Sequence, residues 1–216
     1  MPTALTTICD EHRTISAILH GMEHLVWEIR AKGKKIDPQV FHAMLYYLDS
    51  FAERVHHPKE DQYLFGILRQ RSSEAGALIA GLEREHAEGE ESLRRLAQGL
   101  NRYEEGGDRE FPAFERQVSN FVQGYRNHMH KEEEQLFPIA RKLLTPLDWV
   151  MIDEAFRENN DPLAAARDEK DYERMFARIA ALAPPPIGVG PAAQRQRRPG
   201  LEGPPKRHDP NKRTTR

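Results

Sequence analysis

The sequence predicts an all-α protein: an up-down-up-down four-helix bundle with two extra C-terminal helices and a disordered tail. Three observations lead there. Apolar residues recur at spacings of three and four along four long segments, which gathers them on one face of a helix. The breaks between these segments are short, and short links between long helices make neighbours antiparallel. Of the 216 residues, 31% are charged and 38% hydrophobic, with a mean hydropathy of −0.75, which suits long helices with wet outer faces.

The first seam runs Leu5, Ile8, His12, Ile15, Leu19, Met22, Val26, Ile29. It ends before Lys32-Gly33-Lys34-Lys35, and Asp37-Pro38 then reads as an N-cap followed by a proline in the first helical position. The second seam is Phe41, Leu45, Leu48, Ala52, His56, Glu60, Tyr63, Ile67, and it breaks near Arg71. Ser73 is the expected cap of the third, which runs Leu78, Leu82, His86, Gly89, Leu93, Leu96, Leu100, Tyr103. After Gly106-Gly107, Asp108 is the expected cap of the fourth: Phe114, Val118, Phe121, Tyr125, His128, Glu132, Leu136, Ile139, Leu143. Pro58 lacks an amide hydrogen, so it frees the Arg54 carbonyl and should bend or bulge the second helix.

Each seam holds a His where a Leu would otherwise sit. His12 and His56 both lie about 28 Å from the loop that joins their helices, at ~1.5 Å per residue. His86 stands 19 residues before Glu105 and His128 stands 19 after Arg109, so this pair is level as well. Two blocks repeat a pattern, His56-xxx-Glu60 and His128-xxx-Glu132, and spacing i, i+4 aims both side chains the same way. Singly, each would read as a hydrogen-bonded core residue. Six ionisable groups at one level of an apolar core cost too much unless a cation joins them.

The pattern therefore points to a metal centre held by His12, His56, Glu60, His86, His128 and Glu132. Imidazole and carboxylate donors without thiolate suit iron or manganese, with zinc also compatible. Glu60 and Glu132 can bridge two ions, and the four His give each ion two terminal ligands. With an oxo or hydroxo bridge, each ion would keep one position open to a small molecule. Tyr63 and Tyr125, one turn from ligands on their seams, are candidate hydrogen-bond donors there. His57 falls about 100° off the ligand face, behind a ligand or at the surface, and His130 should face away. Glu133 and Glu134 read as part of a charge run, Cys9 as a small core side chain. His20 and His24 flank the first seam and read as no second site.

The order of these residues, with HHPKED, EH and HMHKEE…LFP around them, resembles the hemerythrin-like HHE cation-binding family over roughly residues 5–145. That resemblance implies a non-haem di-iron centre in a four-helix bundle. It also implies a small-molecule ligand such as O2, H2O2 or NO, and a role in binding or sensing oxygen or reactive oxygen and nitrogen species. The alternative it offers is an enzyme for peroxide decomposition, nitric-oxide reduction or iron–sulfur cluster repair. Oxygen-carrying hemerythrins have HxxxH on the third helix, whereas here Glu90 follows His86 by four residues, just off the seam. Both ions should then keep an open site.

The bundle is expected over residues 1–145, a helical extension over 146–183, and the tail over 184–216. Thr145-Pro146 starts the first extra helix and Leu163 to Leu182 forms the second. Trp149, Phe156 and Phe176 should pack outside the bundle or build a homodimer surface. The tail holds eight basic residues against Glu202 and Asp209, a charge of +6 beside −8 for the body. Rich in Pro and Gly, it cannot offset its ordering entropy by burial. It reads as a solubilising tail or an electrostatic contact, and the body as no nucleic-acid binder. A single cysteine, with no signal-like N-terminus and no membrane-length apolar stretch, points to the cytoplasm.

Overall fold

The structure, a computed structural model, describes residues 2–157, which are helical throughout apart from short links. The expected helix over 163–182, its Phe176, the tail and any dimer surface there lie outside the described residues. Five helical stretches follow in order: α1 (Thr3–Lys32), α2 (38–71), α3 (Gly76–Gly106), α4 (111–143) and α5 (Pro146–Arg157). No strand occurs among the described residues.

The links follow from local chemistry. Gly33 ends α1 at φ 60°, where its amide donates to the Ile29 carbonyl; the left-handed conformation favours a residue without Cβ. Asp37 caps α2 by accepting from the Gln39 amide at 2.9 Å, with Pro38 behind it. The expected Ser73 does not cap α3, whose N-cap position is Ala75 with no side-chain cap. The Ser72 hydroxyl instead accepts from the amides of Glu74 and Ala75 in the turn just before the helix. Asp108 caps nothing: it sits in a tight turn of Gly107–Arg109, and α4 starts with Pro112 in its first turn.

Two helices widen where the ligand seams demand it. α2 is π-helical over Leu48–His56 and again over Glu60–Phe65, on either side of Pro58. This is the expected bulge. α4 widens over Glu132–Leu136, just before Pro138, whose missing amide frees the Glu134 carbonyl in the same way. Both repeated glutamates thus open a π turn.

Contacts between consecutive helices pair low numbers with high. Across α2 and α3, His42 meets Glu104 and Arg69 meets Glu83; across α3 and α4, Tyr103 stacks on Phe114 and Glu85 meets His128. α1 and α4 pair through Arg30–Glu115 and Arg126–Glu23. Inside lie two apolar clusters, one around Leu19, Met22, Phe41, Leu96 and Phe114, the other around Leu5, Ile8, Phe65, Leu82 and Phe137. Each fully buried Leu, Ile or Phe contributes roughly 1.5–3 kcal/mol. α5 adds Ile152 and Phe156 to the second cluster, with Trp149 packed at its edge. Asp153 of α5 accepts from the Ala4 amide at 2.7 Å, supplying the cap that α1 lacks in its own sequence.

Candidate metal centre

Six side chains meet against the second apolar cluster, whose Phe137 stacks on His12 and whose Phe65 stacks on His86. His12 comes from α1, His56 and Glu60 from α2, His86 from α3, His128 and Glu132 from α4, and all six are buried. Glu60 Oε2 lies 3.5 Å from His56 Nε2 and 3.8 Å from His86 Nε2, while Glu60 Oε1 lies 3.8 Å from His12 Nε2. Glu132 Oε2 is 3.2 Å from His12 Nε2, and its Oε1 is 3.4 Å from His128 Nε2. Each glutamate therefore faces both halves of the cluster. His12, His56 and Glu60 form one tight set; His86, His128, Glu60 and Glu132 form another.

The outer nitrogens explain the inner ones. His12 Nδ1 contacts Glu133 at 2.8 Å, His56 Nδ1 contacts Glu11 at 2.8 Å, His86 Nδ1 contacts Asp61 at 2.8 Å, and His128 Nδ1 contacts Glu85 at 3.0 Å. An ionised carboxylate only accepts, so at His12, His86 and His128 Nδ1 carries the hydrogen and Nε2 turns a lone pair inward, while burial pushes the Glu11 carboxyl behind His56 up to about 7. His86 Nε2 and His128 Nε2 then stand 2.9 Å apart, lone pair facing lone pair. That spacing suits two donors side by side on one ion at about 2.1 Å. The Nε2 atoms of His12 and His56 and all four carboxylate oxygens of Glu60 and Glu132 are buried with no hydrogen-bond partner. Uncompensated burial of this kind costs several kcal/mol per charge. A pair of cations fits the donors, their inward tautomers and their orphaned atoms.

The hemerythrin HHE cation binding domain model matches residues 3–140. The chain belongs to this family. No curated protein matches the chain. Nor does any solved structure.

Electrostatics of the HHE site show what its protein atoms lack. Burial opposes ionisation at Glu60, and the charge of Glu132 beside it adds to this, pushing its carboxyl well up. At Glu132 burial is outweighed by His128 and His12, which hold it well below the usual range. Burial also opposes a cationic His12, yet Glu132 and Glu133 push it up to about 9.

Four contacts lay beyond the sequence reading. Glu133, read as part of a charge run, orients His12; Glu11, Asp61 and Glu85 do the same for the other three. The signal was available: each neighbours a ligand in sequence, at Glu11-His12, Glu60-Asp61, Glu85-His86 and Glu132-Glu133. His57 is buried, stacked on His86 and bonded to Glu53, behind a ligand rather than at the surface. Tyr125 donates to Glu53 at 2.5 Å, and Tyr63 packs against the second apolar cluster. Neither bonds a seam ligand. Glu90 and His130 are exposed, as expected, and Cys9 is half-buried at the second cluster. Among the described residues, no candidate metal group includes His20 or His24.

Proposed function

We propose that this HHE domain is a non-haem di-iron protein that binds or senses dioxygen or reactive oxygen and nitrogen species. In this reading His12, His56, His86 and His128 are terminal ligands, and Glu60 and Glu132 bridge two iron ions. The bundle runs up-down-up-down over residues 1–145 and works in the cytoplasm. Residues 146–157 extend it, and residues 184–216 are basic in composition. One observation carries the proposal: six buried polar atoms of His12, His56, Glu60 and Glu132 face one centre without a partner, and four carboxylates brace the four imidazoles around it from behind.

An iron pair supplies a redox centre with coordination positions for a small molecule. The chain's own residues do the rest. The Nδ1–carboxylate bonds fix each imidazole's rotation and tautomer and raise its basicity. The two apolar clusters exclude bulk water above and below the ligand layer, which strengthens every charge interaction inside it. Glu60 and Glu132 hold the anionic charge that a pair of cations requires.

The test is an optical spectrum of the iron-loaded protein with and without oxygen, peroxide and nitric oxide. Reversible bands on exposure support binding or sensing. Peroxide or nitric oxide consumed over many turnovers supports the enzymatic alternative. No spectral response to any of the three contradicts both.

A further inference from the structure

Behind the ligand layer lies a second polar cluster that neither the ligand set nor the apolar core accounts for. Glu53 of α2 is buried, and its carboxylate accepts from the Tyr125 hydroxyl of α4 at 2.5 Å and contacts His57 Nδ1 at 3.2 Å. α3 gives way to it at Gly89, where a Cβ would stand 2.9 Å from Glu53 Oε2. Three helices thus converge on one buried carboxylate. Burying such a charge costs several kcal/mol, and an apolar set of similar volume would often stabilise a core as well or better. Stability alone does not call for it.

Aromatic rings connect this cluster to the metal centre. Tyr125 faces His57 with ring centres 5.7 Å apart and 28° between the planes, and His57 stacks on His86 at 4.0 Å and 11°. The three rings form a continuous path from the ligand layer to a phenol. Removing an electron from a phenol turns its hydroxyl into a strong acid, so the loss needs a base already within hydrogen-bond reach. Glu53 Oε1 is that base. Before oxidation the proton stays on Tyr125, because burial and the charge of Glu53 push its hydroxyl well above its ordinary range. Tyr63, the other tyrosine one turn from a ligand, packs against the second apolar cluster instead.

We propose that Tyr125 is a redox-active tyrosine, which gives one electron to the iron pair along His57 and His86 while Glu53 takes its proton. Hydrogen peroxide is the terminal oxidant. Taking up two electrons and two solvent protons, it breaks its O–O bond and leaves as two waters. One electron comes from Tyr125 and the other from iron. At Tyr125 the O–H bond breaks, the proton bonds to Glu53 Oε1, and a neutral phenoxyl radical remains. The inference rests on the di-iron reading above.

The test is electron paramagnetic resonance of the full-length iron-loaded protein, frozen after mixing with hydrogen peroxide, with iron per chain measured for each sample. The parent should show an organic radical whose hyperfine splitting collapses when its tyrosines carry ring deuterium. Tyr125→Phe should keep the iron and lose the signal, and Tyr63→Phe should match the parent in both. Glu53→Gln, which cannot take the proton, should lower the radical yield about tenfold or more. A parent that holds two irons and gives no radical overturns the proposal, as does a radical whose splitting ignores the deuterium. So does a signal that survives in Tyr125→Phe, vanishes in Tyr63→Phe or stays parent-like in Glu53→Gln. A parent without bound iron overturns the di-iron reading itself. Should Tyr125→Phe or Glu53→Gln lose iron, the other variant and the deuterium test are read by the same outcomes.

Discussion

At His12 a single imidazole meets carboxylates at both ends, Glu132 inside and Glu133 outside, and the two have different work. Glu132 is fully buried with both oxygens unpartnered; Glu133 is half-exposed and sets the tautomer. Glu132→Ala should therefore abolish metal binding, whereas Glu133→Ala should weaken it about 10–100-fold, read by competition with a chelator. Equal losses, or none in Glu133→Ala, would refute this division. Tyr125→Phe removes a donor from buried Glu53 and should cost about 1–3 kcal/mol in denaturant unfolding. An unchanged midpoint would mean the carboxylate finds another partner. The six inner residues were legible because His and Glu interrupt apolar seams at one level. The carboxylates behind them were not, because an acidic residue beside a seam looks the same whether it touches water or an imidazole.

Elements carry the site to its level through two features that sequence reveals unequally. Pro58 announced the bulge in α2, since a missing amide leaves the Arg54 carbonyl unpaired whatever the tertiary context. The matching π turn at Glu132–Leu136 follows from Pro138 by the same logic, yet it hides behind an unbroken seam. The Ser73 cap is missing because the Ser72 hydroxyl holds the turn before α3, which starts without a side-chain cap. α5 is held by a clamp: Asp148 accepts from Arg71 at 3.0 and 2.7 Å and forms a reciprocal cap with Thr145. The Arg71 guanidinium holds the Asp148 carboxyl down to about 2, below its unfolded value. A depressed carboxylate stabilises above its unfolded pKa of about 3.9 and loses that contribution as pH falls through about 2. Asp148→Asn should thus melt below the parent at pH 5 to 7, with the gap closing towards pH 2. A gap independent of pH would show that the charge is not what holds α5.

At the scale of the whole molecule, the described residues 2–157 hold the ligand layer and two apolar clusters. Deleting residues 184–216 should leave metal content and melting temperature unchanged; a loss of either would give the tail a structural part. Stripping the metals should lower the melting temperature by about 10 °C or more, since ions that bind only the folded chain stabilise it. No helix among the described residues is long and apolar enough to cross a membrane. Overall architecture was legible because helix period, short links and levelled ligands all constrain one arrangement. The cavity lined by His86 and His128 was not, since it depends on side chains from α3 and α4 meeting across a gap. The most direct measurement is iron per chain in the purified full-length protein, beside Glu132→Ala. The account predicts two ions in the parent and none in the variant; one ion or fewer in the parent, or two retained by Glu132→Ala, would contradict it.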